Sequence, residues 1–268
     1  MRKILYTLII SLVVISTAQA ERYKHEKASK GGTPPGTAAN CTPATAATEL
    51  DINNVKALIQ SGGDMWWDFN RARYEIPQGS EKTSLFAGSL WLAGQDVSGQ
   101  FKVAALRFRQ VGNDYWTGPL STVNSEIDPQ TCRDYDRHWK SEKSQVAEYA
   151  AYYAATVIAA EEGTPLPEQY EGYTVPDVIK DWPAHGRNFE PYNEDFYLAP
   201  FFDNNGDGEY NYQDGDYPGY VLSGKSDCSR RVRDIYGDQN LWWVFNDKGN
   251  IHTESGGQAI GMEIRAQA

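Results

Sequence analysis

The sequence predicts a mainly β fold, antiparallel and β-sandwich-like, with one inserted α-helix around residues 141–162 and long loops. Two observations support the β character: short apolar runs are separated by turn residues, and apolar and polar side chains alternate within several of these runs. One alanine-rich segment lacks this alternation and accounts for the helix. The length of 268 residues suits one large all-β domain or two small ones.

Residues 1–20 have the pattern of a signal peptide. Arg2 and Lys3 precede an apolar run, and Ala18-Gln19-Ala20 places small residues where a signal peptidase reads the chain. The apolar run is shorter than the roughly 20 residues of a membrane-spanning helix, and Glu21 stands where a lipoprotein has Cys. We therefore expect a protein that crosses the periplasm and is secreted, extracellular or on the outer cell surface, with no membrane span after cleavage. A retained membrane anchor is the alternative.

The next segment, residues 21–48, is rich in Gly, Pro, Ala and Thr and holds almost no large apolar residue. Such a composition cannot bury enough surface to offset the entropy of ordering, which predicts a disordered linker. We expect a β-rich globular domain over residues 49–268, where apolar and aromatic residues become dense. Because the chain stops at Ala268 within an alternating pattern, we expect this domain to be the front part of a longer protein.

Four segments are predicted as strands. The apolar runs 84–94 and 101–110 are joined by the turn-like sequence QDVSGQ, and in the second run Leu106 and Phe108 alternate with arginines. The other two predicted strands are NLWWVFND and the terminal AIGMEIRAQA. In the latter, one face holds the apolar residues Ile260, Met262, Ile264 and Ala266.

The alanine-rich segment 141–163 predicts the helix, with Ser141 as its N-cap and Gly163 as its C-terminal stop. Helical spacing predicts a buried stripe made of Tyr149, Tyr152, Tyr153 and Val157. A shorter helical turn is predicted between Thr174 and Pro183.

Cysteine count and net charge limit the possible partners and cofactors. Cys41, Cys132 and Cys228 allow at most one internal disulfide. Because Cys41 lies in the predicted linker, the predicted pair is Cys132 with Cys228, and three unpaired thiols are the alternative. No Cys-x-x-Cys or Cys/His spacing indicates zinc. A net charge of −11 without a basic patch argues against nucleic acid as a partner.

The stretch DNNGDGEYNYQDGDYPG, residues 203–219, has the spacing of a calcium loop. Acidic and amide residues recur at every second position around a glycine, and calcium takes six to eight hard oxygen ligands. We expect a structural calcium ion held by side-chain oxygens, with Glu209 contributing its backbone carbonyl. The predicted ligands are Asp203, Asn205, Asp207, Glu209, Asn211 and Asp214.

The flanks of this stretch exclude an ordinary EF-hand. Pro200 and Pro218 lie where the entering and exiting helices would be. Asp214 also replaces the bidentate Glu that closes an EF-hand loop, which shortens the reach of the side chain. The predicted geometry is a loop without helices, and a polar turn without metal is the alternative.

No catalytic constellation is recognisable in the sequence. His138, His185 and His252 are isolated from one another, so each is expected to be packed or hydrogen-bonded within the fold. There is no G-x-S-x-G motif, and the many acids form no glycosidase pattern. The stretches GGDMWWDF and LWWVFND hold four tryptophans, which are expected in the core; a sugar-binding platform is the alternative.

A series of motifs carries a resemblance to a known group of proteins. In order they are SLFAGSLWLAG, VAALRFRQVGNDYWTGPL, CRDYDRHWK, DWPAHG, FFDNNGDGEYNYQDGDYPG and GDQNLWWVFNDKGNIHTESGGQAIGMEI. The series covers residues 49–268 and resembles the N-terminal region of large secreted surface proteins of gliding and related Gram-negative bacteria. The resemblance implies export by the general pathway followed by type IX secretion, and a role at the cell surface.

These observations together predict a non-catalytic, calcium-stabilised module of a secreted or cell-surface, adhesin-like bacterial protein. The alternative is a carbohydrate-binding module or a glycan-acting enzyme that uses exposed Trp and acidic residues. The expected partner is a surface glycan or another protein.

Overall fold

The computed structural model describes residues 39–109, 111–220 and 237–268, and these residues belong to one compact unit. The predicted signal peptide, most of the predicted linker and Cys228 lie outside the described residues.

Short strands make up most of the regular structure. In chain order they are β1 (Ala47–Leu50), β2 (Lys56–Gln60), β3 (Asp64–Met65), β4 (Tyr74–Glu75), β5 (Thr83–Leu85), β6 (Gly88–Ser89), β7 (Trp91–Gln95), β8 (Phe101–Ala105), β9 (Trp116–Thr117), β10 (Trp139–Glu142), β11 (Phe201–Phe202), β12 (Tyr217–Pro218), β13 (Gln239–Asn246) and β14 (Glu263–Gln267).

The described strands form four sheets, and all their pairings are antiparallel. A six-stranded sheet has the order β5-β4-β2-β3-β6, with β1 also paired to β2. A four-stranded sheet has the order β10-β13-β14, with β9 also paired to β13. The pairs β7–β8 and β11–β12 form two-stranded sheets. The predicted mainly β, antiparallel fold is confirmed.

Strand β13 is buried on both faces and separates two apolar clusters. Successive side chains of a strand point to opposite faces, so Trp242 and Val244 pack on one side and Leu241, Trp243 and Phe245 on the other. The first cluster also holds Trp139, Trp182, Ala184, Leu198, Ala199 and Phe201. The second also holds Ile59, Ala104, Leu106 and Tyr115. The expectation that Trp242 and Trp243 belong to the core is confirmed.

Three α-helices lie within the described residues: α1 (Pro129–Asp134), α2 (Lys143–Glu162) and α3 (Asp177–Lys180). Helix α2 confirms the predicted insertion, and Gly163 ends it in the left-handed conformation with φ 66°. Its N-cap is Glu142 rather than Ser141, because Ser141 pairs with Asn240 within β10 and β13. Glu142 forms a capping box with Gln145.

The predicted stripe of α2 is buried only in part. Tyr149 is buried and its hydroxyl donates to the backbone oxygen of Tyr212, whereas Val157 is 37 % exposed. The second turn of the helix therefore anchors it to the domain, and its C-terminal half extends away from the core.

The predicted linker extends too far along the chain. Cys41 and Ala44 are buried and β1 already begins at Ala47, so residues 39–48 belong to the ordered domain.

The predicted disulfide between Cys132 and Cys228 is also wrong. Cys41 and Cys132 form the bond, with 5.9 Å between their Cα atoms. The physical reason is tertiary, because both cysteines pack against Trp116 across 91 residues of chain.

The alternation at Leu106 to Arg109 does not continue a strand. Strand β8 ends at Ala105, and Phe108 and Arg109 have φ values of 58° and 53°. Ion pairs hold this segment instead: Arg109 donates to Asp64 at 2.6 Å, and Arg107 donates to Glu254 at 2.9 Å. The other predicted alternation, at the end of the chain, is a strand, although β14 is shorter than expected.

Candidate functional site

The loop predicted to bind calcium lies between two paired strands. Phe201 pairs with Pro218 and Phe202 with Tyr217, and the rings of Phe202 and Tyr217 stack with 4.6 Å between centroids. Phe201 is part of the first apolar cluster. The ends of the loop are therefore fixed by the core, while its tip at residues 204–207 is exposed.

The first half of the loop is folded by its own side chains. The Asp203 carboxylate accepts hydrogen bonds from the backbone N–H groups of Gly206 at 2.6 Å and Gly208 at 2.9 Å. Asn205 accepts from the Asp207 N–H at 3.0 Å, and Asp207 accepts from the Glu209 N–H at 2.8 Å. These contacts between near neighbours make the turn that the acidic and amide residues predict.

Gly208 is required at the centre of this turn. Its φ is 83°, and a Cβ atom there would lie 3.0 Å from the Tyr197 hydroxyl. Both the left-handed backbone and the close neighbour favour glycine.

The second half of the loop forms a separate turn. The Asn211 amide donates to the Asp214 carboxylate at 2.7 Å, and its oxygen accepts from the Gln213 N–H at 3.0 Å. The structure thus brings Asp203, Asn205 and Asp207 together in one turn and Asn211 and Asp214 together in the next. The Glu209 side chain is 66 % exposed.

Asp216 was missed by the sequence reasoning and lies at the base of the loop. It is fully buried, and its two carboxylate oxygens accept the N–H groups of Asn204 at 2.8 Å and Asn211 at 2.9 Å. Burial raises the pKa of this carboxyl; the two N–H groups oppose that rise, and the negative charges of Asp203 and Asp207 add to it. The predicted calcium-loop spacing ends at Asp214, and Asp216 lies two residues beyond it.

The three histidines predicted to be packed or hydrogen-bonded are so. His185 Nδ1 donates to the backbone oxygen of Phe196 at 3.0 Å, and Nε2 accepts the Tyr210 N–H at 2.7 Å. His138 Nδ1 lies 3.0 Å from the Thr48 hydroxyl. His252 is held between two backbone carbonyls. His185 therefore supports the loop through the backbone of Tyr210.

The donor chemistry of the loop fits calcium, but its side chains are not gathered around one point. Carboxylate and amide oxygens are ligands that calcium prefers. Within residues 39–109, 111–220 and 237–268, no group of three or more His, Cys, Asp or Glu side chains is arranged to hold a metal ion. In this structure the carboxylate oxygens of Asp203 and Asp207 are directed to N–H groups of their own turn.

A second charged cluster lies in the body of the domain. His252 Nδ1 is 2.8 Å from the Val103 carbonyl and Nε2 is 2.7 Å from the Asp247 carbonyl. A carbonyl oxygen only accepts, so the ring nitrogens of His252 face two acceptors. The Asp114 and Asp247 carboxylates lie 3.7 Å and 4.0 Å from the ring, and all three side chains are buried.

The four tryptophans of GGDMWWDF and LWWVFND, expected in the core, differ in their burial. Trp242 and Trp243 are buried, and Trp66 and Trp67 are half-buried. Trp91, which the sequence reasoning did not single out, is 66 % exposed. Its only signal in the sequence is its place in the apolar run 84–94, which was predicted as a strand.

No helix in the part of the chain that the structure describes is long and apolar enough to cross a membrane. Comparison of the chain with protein-family models, with curated proteins and with solved structures finds no match.

Proposed function

We propose that the domain is a non-catalytic, calcium-stabilised module of a secreted or cell-surface, adhesin-like bacterial protein. The observation that carries this proposal is the concentration of negative charge in the loop 203–216. Asp203 and Asp207 lie close enough to Asp216 to raise the pKa of its buried carboxyl. Among the described residues, no Lys or Arg forms an ion pair with any of these three side chains.

A calcium ion would supply positive charge to this loop. Asp203, Asn205 and Asp207 already share one turn, and Asn211 and Asp214 share the next, so both sets of oxygens lie in the same loop. Extracellular modules bind calcium with dissociation constants of about 10⁻⁴ to 10⁻³ M, which suits the millimolar calcium outside cells. The ion would stabilise the connection between β11 and β12 and take no part in chemistry.

Secretion is supported by the disulfide between Cys41 and Cys132, because such bonds persist in oxidising compartments. The signal-peptide pattern of residues 1–20 and the resemblance of the motif series to secreted surface proteins support the same location. A non-catalytic role is supported by the described histidines, each of which is held by hydrogen bonds within the fold.

The test is thermal and chemical unfolding of the protein with calcium, with magnesium and with EGTA. At a free calcium concentration ten times the dissociation constant, we expect the free energy of unfolding to rise by about 1.4 kcal/mol. Asp207→Ala should abolish this response. Glu161→Gln is the matched control, because Glu161 is an exposed acid on α2 outside the loop and its loss should leave the response intact.

Isothermal titration gives the direct measurement. Absence of heat and of any change in unfolding at 10 mM calcium would refute the calcium part of the proposal and leave the loop as a polar turn. An equal response in Asp207→Ala would place the ion elsewhere in the protein.

A further inference from the structure

The hairpin formed by β7 and β8 has an outward face that the proposed function does not use. The strands pair with Trp91 opposite Ala105 and Gln95 opposite Phe101. Directly opposed residues point to the same side of a sheet. One side therefore holds Leu92 and Ala104, which pack on the second apolar cluster. The other, which we call the hairpin face, holds Trp91, Ala93, Gln95, Phe101, Val103 and Ala105.

Two aromatic rings stand exposed on the hairpin face. Trp91 is 66 % exposed and Phe101 is 61 % exposed. The Trp91 indole N–H donates to the Leu106 carbonyl at 2.6 Å, a contact that holds the ring in place while its surface remains open. Binding to a ring that is already fixed costs little conformational entropy.

The two aromatic residues stand at opposite ends of the hairpin face. Gln95, the partner of Phe101, is four positions after Trp91, so the backbone positions of Trp91 and Phe101 lie about 13 Å apart along the strands. Ala93 and Val103 form the cross-strand pair between these two positions, and Ala93 is exposed while Val103 is half-buried. Gly257 closes one side, since a Cβ atom there would lie 2.2 Å from Val103 Cγ1. A ligand that touches both rings must span this length of the hairpin.

The exposed aromatic area is too small for a second copy of the chain. Aromatic side chains bury about 150–250 Å² each, so the two rings offer roughly 300 Å² at their measured exposure. A stable protein interface buries about 800 Å² on each partner. Two copies that each carry a net charge of −11 would also repel one another.

Charge also selects among smaller ligands. None of the six side chains of the hairpin face is charged, and the acidic protein around them disfavours a polyanion. An extended neutral glycan can reach both rings and carries no charge. The apolar faces of its sugar rings can stack on the aromatic rings, and its hydroxyls can hydrogen-bond to Gln95. We propose that the hairpin face binds an extended neutral polysaccharide through Trp91 and Phe101. This binding goes beyond the proposed structural role of calcium and does not depend on it.

The test is retention of the protein in native gels that contain a soluble neutral polysaccharide: hydroxyethylcellulose, xyloglucan or galactomannan. Pull-down on microcrystalline cellulose and on chitin beads extends it to insoluble glycans. At least one neutral glycan should retain the protein and acidic alginate should not. Trp91→Ala and Phe101→Ala should each weaken retention by at least about tenfold, and EGTA should not abolish it. Phe189→Ala is the matched control, since Phe189 is 60 % exposed outside the hairpin.

Three results would overturn the proposal. The first is that no neutral glycan retains the wild-type protein. The second is retention that persists in both Trp91→Ala and Phe101→Ala; the paired variants guard against misfolding of one, and circular dichroism checks both. The third is a dimer in sedimentation velocity that Trp91→Ala dissociates, which would make the face an interface between copies.

Discussion

The carboxylates around His252 and those of the loop 203–216 are held by the same kind of contact but differ in what balances their charge. In both regions backbone N–H groups surround the acid. Asp247 accepts from Ile260, Gly261 and Met262, and Asp216 accepts from Asn204 and Asn211.

Each buried acid described in the body of the domain faces a basic side chain. The His252 ring lies between Asp114 and Asp247, Arg107 donates to Glu254, and Arg109 donates to Asp64. Pairing of this kind offsets much of the cost of removing a charge from water. The described residues show no equivalent for Asp203, Asp207 and Asp216. Main-chain hydrogen bonds therefore shape an acidic turn without neutralising its net charge.

The largest effect is expected from breaking the body cluster. Asp247→Asn removes the charge beside His252 and places an amide N–H₂ against backbone donors. We expect the free energy of unfolding in urea to fall by about 3 kcal/mol or more, with or without calcium. Asp238→Asn is the control, because Asp238 is an exposed acid at the opposite end of β13 and should change stability by less than about 0.5 kcal/mol. Equal effects of the two changes would contradict the role given to Asp247.

The second prediction uses His138, a half-buried histidine that lacks the two carbonyl partners of His252. Burial lowers the pKa of His138 from its ordinary 6.5 to about 4, and the charge of Asp136 opposes that fall. The unfolded chain therefore takes up a proton below pH 6.5 that the folded protein takes up only near pH 4. Stability should fall by about 2 kcal/mol from this residue between pH 7 and pH 5.

His138→Asn tests this acid sensitivity, because the Asn side chain keeps a polar atom near Thr48 and does not titrate. The variant should lose less stability than the wild type between pH 7 and pH 5 in urea unfolding at fixed ionic strength. Parallel pH profiles for the two proteins, or a His138 resonance that titrates near 6.5 in the folded state, would show that burial does not suppress its charge.

The smallest effect is expected in the loop, where the sign of the stability change should depend on calcium. Without calcium, Asp207→Asn keeps an oxygen that can accept the Glu209 N–H and removes one negative charge near Asp216. We expect a gain in stability of less than about 1 kcal/mol. With calcium the wild type should be more stable than the variant, because its Asp207 carboxylate can bind the ion and the Asn amide carries no charge. If the variant is less stable than the wild type in EGTA, repulsion between the loop carboxylates does not affect folding.

Features that depend on near neighbours could be predicted from the sequence. The side chains of Asp203, Asn205 and Asp207 bond to N–H groups two to five residues away, so their spacing alone indicates a turn. Helix α2 and its stop at Gly163 follow from local composition in the same way. Strand β13 was recognisable because its run of apolar residues is continuous.

Features that depend on distant contacts were decided by the tertiary structure. The partner of Cys132 lies 91 residues away, and Cys41 was placed in a segment whose composition suggests disorder. Strand β8 ends early because Arg107 and Arg109 pair with acids far along the chain. Trp91 is exposed and Trp242 buried although both stand in similar apolar runs.

The sequence by itself determined the antiparallel β character, the long helix and the turn of the acidic loop, because periodicity and hydrogen bonds between near neighbours are local. Only the tertiary structure decided which acids are buried, which of them face a cation and which aromatic rings remain open. Burial and charge pairing are properties of the whole packed surface around a side chain, and residues separated by many positions create them.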